Sequence, residues 1–503
     1  MSKDPLTYKA SGVDIESNNE SNERIKEQIK RTHNHRLVME TGLFAGGISL
    51  SDFKGWEQPL LIGSLGYLEP GFAAGGASAA GNLSRAAALV VESCFSSFPP
   101  AVEKIAFLDY LAASRLEVEK VESLVTGFAD VLSGPRLLPL AGGETAEMPG
   151  VFQSGKWEVV GALYGVGRSS RTGFPETRWK NQESPEQESR EAAGVDISRL
   201  KRLKDPVLML SMDGVGTKAR LGAACRRTRG LAGDIVNHSL NDLLCQGGRG
   251  LAIMVYLGCH TPDQELIEDF REGLAQVLAG EDLSLLDLKI APNKDLYLPG
   301  EYDICASIAG MVDRQCIITG AGIEEGDLLI GLASDGLHTN GYSLAAAALL
   351  ERGKLKLDQY IPELNTTLGE ALLVCHRSYT AAVHSLLAQD STIGSVRGIA
   401  HITGGGLKDN LCRILPQGLG AEIEKSSFEV PPLFSLIQRC GRIPEHDRMR
   451  GGMYETFNMG VGLVLAVGRE SAGDVASALQ LSGEEAMVVG RVVGSPEQQP
   501  RSG

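Results

Sequence analysis

Pro206-Val-Leu-Met-Leu-Ser-Met-Asp213-Gly214-Val-Gly216-Thr217-Lys218 is a short apolar run that breaks into a glycine-rich turn and ends in a lysine. The run has the length and the bounding residues of a buried strand. In the turn, backbone N–H groups at Gly214, Gly216 and Thr217 can close around phosphate oxygens. The Asp213 carboxylate can hold a magnesium ion, and Lys218 can neutralise a terminal phosphate. The spacing is not that of a Walker A loop, whose first glycine lies further upstream of its Gly-Lys pair. A glycine-rich turn after a strand also has a purely structural reading, so its neighbourhood has to decide.

Outward from this stretch, the chain repeats itself. Pro59-Leu-Leu-Ile-Gly matches the strand at Pro206, and Ser11-Gly-Val-Asp-Ile upstream of the first matches Ala193-Gly-Val-Asp-Ile upstream of the second. Further on, Trp157-Glu-Val-Val-Gly-Ala-Leu answers to Tyr302-Asp-Ile-Cys-Ala-Ser-Ile. Such self-similarity marks two copies of one α/β unit. Residues 169–191, SSRTGFPETRWKNQESPEQESRE, are polar with two prolines and read as a solvated linker. The expected organisation is a first copy over 1–168, that linker, a second copy over 192–320, a C-terminal α/β domain over 321–494 and a polar tail over 495–503. The C-terminal domain opens with the strand-like Gly326-Asp-Leu-Leu-Ile-Gly-Leu-Ala, followed by YSLAAAALL at 342–350, which is helical by propensity.

The bulk properties agree with this organisation. At about 150 residues per domain, 503 residues accommodate three domains. Lys+Arg of 48 against Asp+Glu of 63 leaves a formal charge of −15, which repels a phosphate backbone and so excludes general binding to nucleic acid or to an anionic membrane surface. A local pocket for a small phosphate remains compatible. The 61 glycines exceed the usual share of about 7%, as many tight turns or backbone-lined anion sites require. Nine cysteines without a Cys-x-x-Cys pair indicate neither a zinc ribbon nor a disulfide framework. The stretch MSKDPLTYKASGVDI has no apolar signal-peptide core, and no apolar run is long enough to span a bilayer. The expected location is the cytoplasm.

Three further groups of residues carry chemistry. Asp234 and the pair Asn241-Asp242 fall on a predicted helix over 233–246, where residues seven apart lie two turns on and share a face. Hard oxygen ligands so placed suit Mg²⁺ bound to nucleotide phosphates, although Asp234 taken singly reads as a helix N-terminal charge and Asn241 as a solvated polar residue. Ala141-Gly142-Gly143-Glu144-Thr-Ala-Glu-Met-Pro-Gly150 follows an apolar run and reads as a substrate or nucleotide loop. Later come Asp335-Gly-Leu-His-Thr-Asn340-Gly-Tyr-Ser, His401-Ile-Thr-Gly404-Gly405-Gly406 and Phe457-Asn-Met-Gly-Val-Gly462. Gly404 and Gly405 form a plausible phosphate nest. His401 reads either as an acid or base near neutral pH or as a hydrogen-bonded structural histidine.

Together, YKASGVDI, FLDY at 107–110, GGETAEMPG, DGVGTK, the Asp234 to Asn241-Asp242 spacing, HTNGYSL, IAHITGGG and YETFNMGVG resemble the aminoimidazole ribonucleotide synthetase family, the phosphoribosylformylglycinamidine cyclo-ligases of purine biosynthesis. GGETAEMPG with IAHITGGG separates that family from its wider ATP-binding superfamily, which includes selenophosphate synthetase and thiamine-monophosphate kinase. The resemblance implies ATP and Mg²⁺ as cofactors, a ribonucleotide substrate, and ATP-dependent ring closure of formylglycinamidine ribonucleotide with release of ADP and phosphate. It also implies N-terminal domains paired across an interface with nucleotide sites in the clefts. Here a tandem pair would form an intrachain pseudo-dimer, monomeric as a chain or further assembled into a homo-oligomer. Carried onto this sequence, the metal ligands are Asp213, Asp234 and Asp242. The catalytic candidates are Lys218, Glu144, Asp109 of FLDY and His401. The nucleotide-contacting candidates are Asp213, Gly214, Gly216, Thr217, Lys218, Asn241, Gly142, Gly143, Asn340, Gly404 and Gly405.

The chain departs from the family by dividing these motifs between its copies. Gly66 stands where Asp213 stands in the second copy and Gly71 where Lys218 stands, while the first copy keeps FLDY, GGETAEMPG and the glycine-rich Gly42-Leu-Phe-Ala-Gly46-Gly47. The second copy keeps the phosphate turn but reads Met254-Val-Tyr-Leu and Ala291-Pro-Asn-Lys-Asp in place of the other two motifs. Complementary losses imply one whole composite site and a dead twin. The alternatives are loops that serve different sites in an inactive nucleotide-binding scaffold, or a related ATP-using small-molecule kinase.

Overall fold

A computed structural model describes the chain except residues 1–4, 8–10, 12–14, 40–41, 71–79, 135, 170–193, 390–393, 447–451 and 495–503. The expected linker, apart from Ser169, and the expected tail lie outside the described residues, as do Gly71 and most of the first SGVDI string. Eleven strands build the paired copies: β1 (Leu37–Met39), β2 (Gly46–Ser49), β3 (Pro59–Tyr67), β4 (Glu103–Ala113), β5 (Leu140–Glu147), β6 (Trp157–Arg168), β7 (Gly194–Asp196), β8 (Pro206–Gly214), β9 (Arg249–Cys259), β10 (Ser284–Pro292) and β11 (Tyr302–Asp313).

They form two sheets of one topology. The order β5-β4-β6-β3 in one is repeated by β10-β9-β11-β8 in the other, with β4–β5 and β9–β10 parallel and the remaining neighbours of these two sets antiparallel. Each parallel connection is made by a helix, Val118–Leu132 in the first copy and Gln264–Gly280 in the second, since parallel neighbours need a crossover. The strands read as continuous apolar runs because both faces are covered. In β3, Leu61 and Leu65 point between the sheets while Leu60 and Ile62 meet the helices; in β8, Leu208, Leu210 and Met212 alternate in the same way with Val207 and Met209. β5 packs on β8 and β10 on β3, so the two sheets close around one shared core. Burying each such Leu or Met is worth about 1.5–3 kcal/mol, and the pseudo-dimer interface is therefore a permanent core.

The ranges expected for the copies do not coincide with the sheets. β7, which precedes the second copy's first core strand, pairs with β3 of the first sheet, Leu60 opposite Asp196. The β1–β2 hairpin precedes the first copy's core strand, yet it pairs with β8 of the second sheet, Gly46 opposite Leu210. Each copy thus lends an edge to its sibling, which blunts exposed sheet edges.

The C-terminal domain is a five-stranded antiparallel sheet in the order Val396–His401, Val461–Val467, Leu328–Ala333, Ala486–Gly494, Leu419–Ile423. The expected helix at 342–350 is α-helical over Tyr342–Ala346 and widens into a π-helix over Ala347–Arg352. The expected helix over 233–246 is observed as Arg229–Cys245, beginning one turn earlier. That helix lies between the second sheet and the C-terminal domain, and its buried residues include Asp234, His238, Asn241 and Asp242.

Candidate functional site

One cavity of about 810 Å³ is lined by both copies and by the C-terminal domain. The first copy contributes Asp109 together with Gly142, Gly143 and Glu144; the second contributes Asp213, Gly214, Gly216, Thr217 and Asp242; the C-terminal domain contributes Asn340, Gly404 and Gly405. β4 and β5 run in parallel with Asp109 opposite Gly143 and Tyr110 opposite Glu144, so FLDY and GGETAEMPG reach the cavity side by side. On the opposite wall, Gly214 ends β8 where a side chain would displace its neighbour: a Cβ there would sit 2.8 Å from the Tyr110 hydroxyl. Gly216 has φ +64°, the left-handed turn that glycine adopts without cost.

The pseudo-equivalent positions are filled. A Cβ at Gly66, aligned with Asp213, would lie 2.7 Å from both Cys94 Sγ and Val90 O, leaving no room for a carboxylate. Tyr67 stands where Gly214 stands, and its ring packs 5.5 Å from that of Tyr256, the residue aligned with Asp109. Tyr256 in turn donates to Glu158 Oε2 at 2.9 Å. Tyrosines thus occupy the twin where glycine and aspartate open the other.

Four expected site residues, Lys218, Asp234, Asn241 and His401, are not at the cavity. Lys218 is fully buried, and its ammonium protons are matched by three acceptors: Asp234 Oδ1 at 2.8 Å, His338 O at 3.0 Å and Val374 O at 2.6 Å. With three donors satisfied, nothing is left for a phosphate. Asp234, expected as a metal ligand, also accepts from the His376 backbone N–H at 2.7 Å. Asn241, expected at the nucleotide, donates to Arg377 O at 2.8 Å and accepts from the Tyr379 N–H at 3.1 Å. The seven-residue spacing does put Asp234 and Asn241 on one face, but that face templates the backbone of residues 374–379. Burial raises the Asp234 carboxyl even against the lysine beside it.

His401 is likewise displaced from its expected role. It is fully buried behind Asp242, with Nδ1 2.8 Å from Asp242 Oδ1, so it orients that carboxylate and does not meet the cavity itself. A residue the sequence reading passed over, His238, has Nε2 3.0 Å from Asp213 Oδ2 and 3.6 Å from Asp242 Oδ2. Its Nδ1 lies 2.7 Å from Thr339 Oγ1. His238 was legible as the i,i+4 partner of Asp242 on the same helix. A second omission, Arg413, joins the cavity rim with its guanidinium 5.1 Å over the Phe44 ring. Lys26 is the other cation among the described lining residues.

The electrostatics follow from burial and from these pairings. Burial disfavours the His238 imidazolium, but Asp213 and Asp242 outweigh it and raise the ring to about 9. Burial opposes the Asp213 carboxylate too, and there His238 prevails and lowers it. Burial pushes Asp109 up to about 7. Glu144 is driven well above the usual carboxyl range by burial first and by the charge of Asp213 second. The carboxylate oxygens at the cavity wall are hard donors of the kind that fits a divalent cation such as Mg²⁺. Of the three expected metal ligands, Asp213 and Asp242 line the cavity.

Comparison with known proteins is consistent along the second copy and the C-terminal domain. Residues 192–312 match the family described as AIR synthase related protein, N-terminal domain, and residues 324–501 match its C-terminal domain. The chain is 40% identical over 298 residues to the phosphoribosylformylglycinamidine cyclo-ligase of Bacillus cytotoxicus, covering 59% of this chain and 83% of that protein. To the cyclo-ligase of Bacillus thuringiensis it is 39% identical over 298 residues, with the same coverage. Among solved structures, Escherichia coli HypE, a hydrogenase maturation protein, aligns at a TM-score of 0.43 with 18% identity, over 63% of this chain and 87% of that one.

Proposed function

Since the chain belongs to the AIR synthase related family, we propose that it closes the imidazole ring of aminoimidazole ribonucleotide from formylglycinamidine ribonucleotide, using ATP at a single composite site. The observation that carries the reading is the one cavity walled by Asp109 and Glu144 of the first copy and by Asp213 and Asp242 of the second.

The chemistry explains what such a cavity must do. An amide oxygen is a poor leaving group, so the formyl oxygen takes a phosphoryl group before the amidine nitrogen attacks the formyl carbon. Phosphate then departs with that oxygen. The protein's share is positioning and charge neutralisation. Asp213 and Asp242 would hold Mg²⁺, which supplies neutralisation of the triphosphate. The backbone N–H groups of the turn at Gly214, Gly216 and Thr217 and of the glycine run at Gly404 and Gly405 are suited to phosphate oxygens. Asn340 is suited to the nucleotide. Asp109, poised near neutral pH, and Glu144, whose carboxyl burial and the charge of Asp213 raise well above the usual range, are the groups on hand to take and return the amidine and amide protons.

The same reading extends to setting. Among the described residues no helix is long and apolar enough to cross a membrane. Among the described residues no two cysteines form a disulfide, which supports a reducing compartment such as the cytoplasm. A pseudo-dimer that supplies both walls of its own cavity supports catalysis by a single chain.

The test supplies formylglycinamidine ribonucleotide and Mg-ATP to the purified full-length chain and follows ADP together with the aminoimidazole product. Glu144→Gln and Asp213→Asn, in different copies, should each lower kcat at least a hundredfold, the scale of losing one proton-transfer or charge-stabilising group. Wild-type kinetics in Glu144→Gln would remove the composite site. Failure of the wild-type chain to form product while hydrolysing ATP with another acceptor would remove the reaction.

A further inference from the structure

Behind the cavity wall, histidines meet in the C-terminal domain where it docks on the helix Arg229–Cys245. His338, His376 and His401 are each no more than 2% exposed. Buried imidazoles have to place both ring nitrogens against partners, and here that requirement fails in an informative way.

The Tyr379 N–H donates to Asn241 Oδ1 at 3.1 Å, which identifies the other amide atom as the nitrogen. One proton of that nitrogen goes to Arg377 O at 2.8 Å, and the other points at His376 Nε2 at 3.2 Å. His376 Nε2 therefore presents a lone pair. His401 Nδ1 faces the Asp242 carboxylate at 2.8 Å, which keeps the proton on Nδ1 and leaves a lone pair on Nε2. Yet the two Nε2 atoms are 3.0 Å apart. His401 Nε2 therefore finds no donor there, and a positive centre beside the two atoms would take its lone pair and compete with the Asn241 amide for that of His376.

Around this pair the third ring is idle. His338 stacks on His376 with centroids 4.0 Å apart, and neither of its ring nitrogens has a hydrogen-bond partner although both are buried. One ligand atom from each of the three rings lies within 4.8 Å of the others. The charge balance also favours a cation. Asp213, Asp234 and Asp242 each contact this cluster or its neighbour His238, and Lys218 and the His238 ring together offset two of the three.

The geometry points to a tri-imidazole site, His338, His376 and His401, for a divalent transition-metal ion of borderline softness, zinc foremost. Imidazole donors suit zinc, nickel or copper and not Mg²⁺, which wants oxygens, so this site is separate from the carboxylates of the cavity. The 3.0 Å separation is close to the edge of about 3.4 Å that two nitrogens span at tetrahedral zinc. Asp242 behind His401 supplies the carboxylate that orients a metal-bound histidine. Binding turns the His338 ring out of its stack to complete the triad. The ion then ties the turn carrying Asn340, the segment 374–379 and the strand end before Gly404 into one unit, as a structural metal does.

The test uses the full-length chain without a histidine tag, stripped with dipicolinate and dialysed against zinc, with bound metal read by mass spectrometry. Cobalt substitution provides a visible spectrum of the nitrogen-ligated ion. Wild type should retain one equivalent of zinc and show the cobalt bands. His376→Asn and His338→Asn should each weaken binding at least tenfold, whereas His35→Asn, on the surface, should not. His338→Asn removes no ring hydrogen bond, and asparagine tolerates the positive φ of 60° at that position, so the fold survives for measurement. A wild-type chain that takes up no zinc, or a His338→Asn chain that keeps the full equivalent and the cobalt bands, would overturn the site and leave a shared proton between the two Nε2 atoms. No ATP or substrate enters this experiment, so its outcome is independent of ring closure.

Discussion

Lys218 Nζ lies 2.8 Å from Asp234 Oδ1, and neither side chain is more than 1% exposed. The lysine that ends a phosphate-binding string is therefore a buried fastener between the second copy and the C-terminal domain, since its other two bonds go to the carbonyls of His338 and Val374. Lys218→Met should lower stability by about 3–5 kcal/mol, because Asp234 is left buried without its cation. Lys218→Met with Asp234→Leu should recover part of that loss. Chemical denaturation of the two variants checks this. A Lys218→Met chain of native stability with only its KM for ATP raised would return the lysine to the phosphate.

Arg413 is the cavity cation most open to a ligand. It reaches the rim over Phe44, and no ion pair to it is found among the described residues. Arg413→Ala should raise KM for a phosphorylated ligand about tenfold, the scale of one charge-assisted contact, with kcat little changed. Arg413→Lys should restore little, since a point charge does not replace the planar fork. Steady-state kinetics with each substrate varied in turn would identify which phosphate it meets.

The filled twin predicts a stoichiometry. Titration with a non-hydrolysable ATP analogue should give one site per chain. Gly66→Asp should create no second site and should destabilise the chain by about 1–3 kcal/mol, the cost of overpacking, because its Cβ meets Cys94 and the Val90 carbonyl. Calorimetry with the analogue and a thermal melt check the two halves of this expectation.

Between the copies, Glu158 is buried under the hydroxyls of Tyr256 and Tyr297, and burial raises its carboxyl to about 8. Asp303, which accepts from the Tyr110 hydroxyl at 3.2 Å, is raised by burial to about 7. Both bind a proton more tightly folded than unfolded. Their contribution to stability is complete below the ordinary carboxyl range of about 4 and is lost as pH rises through about 7 to 8. Melting temperature should fall between about pH 5 and 8, and Glu158→Gln, which cannot ionise, should flatten that slope. An unchanged slope in the variant would assign the dependence to other groups.

How much of this was legible in the residues differs from place to place. The duplication and the strands at Pro59 and Pro206 could be read because both faces of each strand are buried, which leaves an apolar run with turn residues at its ends. The meeting of Glu144 with Asp213 at one cavity was legible only through complementary loss, since 68 residues of chain lie between them and neither motif names its partner. Lys218, Asp234 and Asn241 were misassigned because a string specifies a donor or acceptor without saying which acceptors the rest of the fold brings to it. His376 lies in no glycine-rich loop and becomes visible only when the C-terminal domain docks, whereas His238 could be found as the i,i+4 partner of Asp242. The lending of β7 and the β1–β2 hairpin has no local signal, because a strand's own pattern does not record whose edge it joins.

In a symmetric pair built from two identical polypeptides, any change to one cleft is written into both, so neither can be spared. Here β1 and β2 bind one sheet and β7 the other within a single covalent thread. Every substitution occurs once, at one end of a formerly twofold object. That is why tyrosines could be allowed to silence one cleft while the opposite cleft kept its acids, and why neither half could now be excised and expected to work alone.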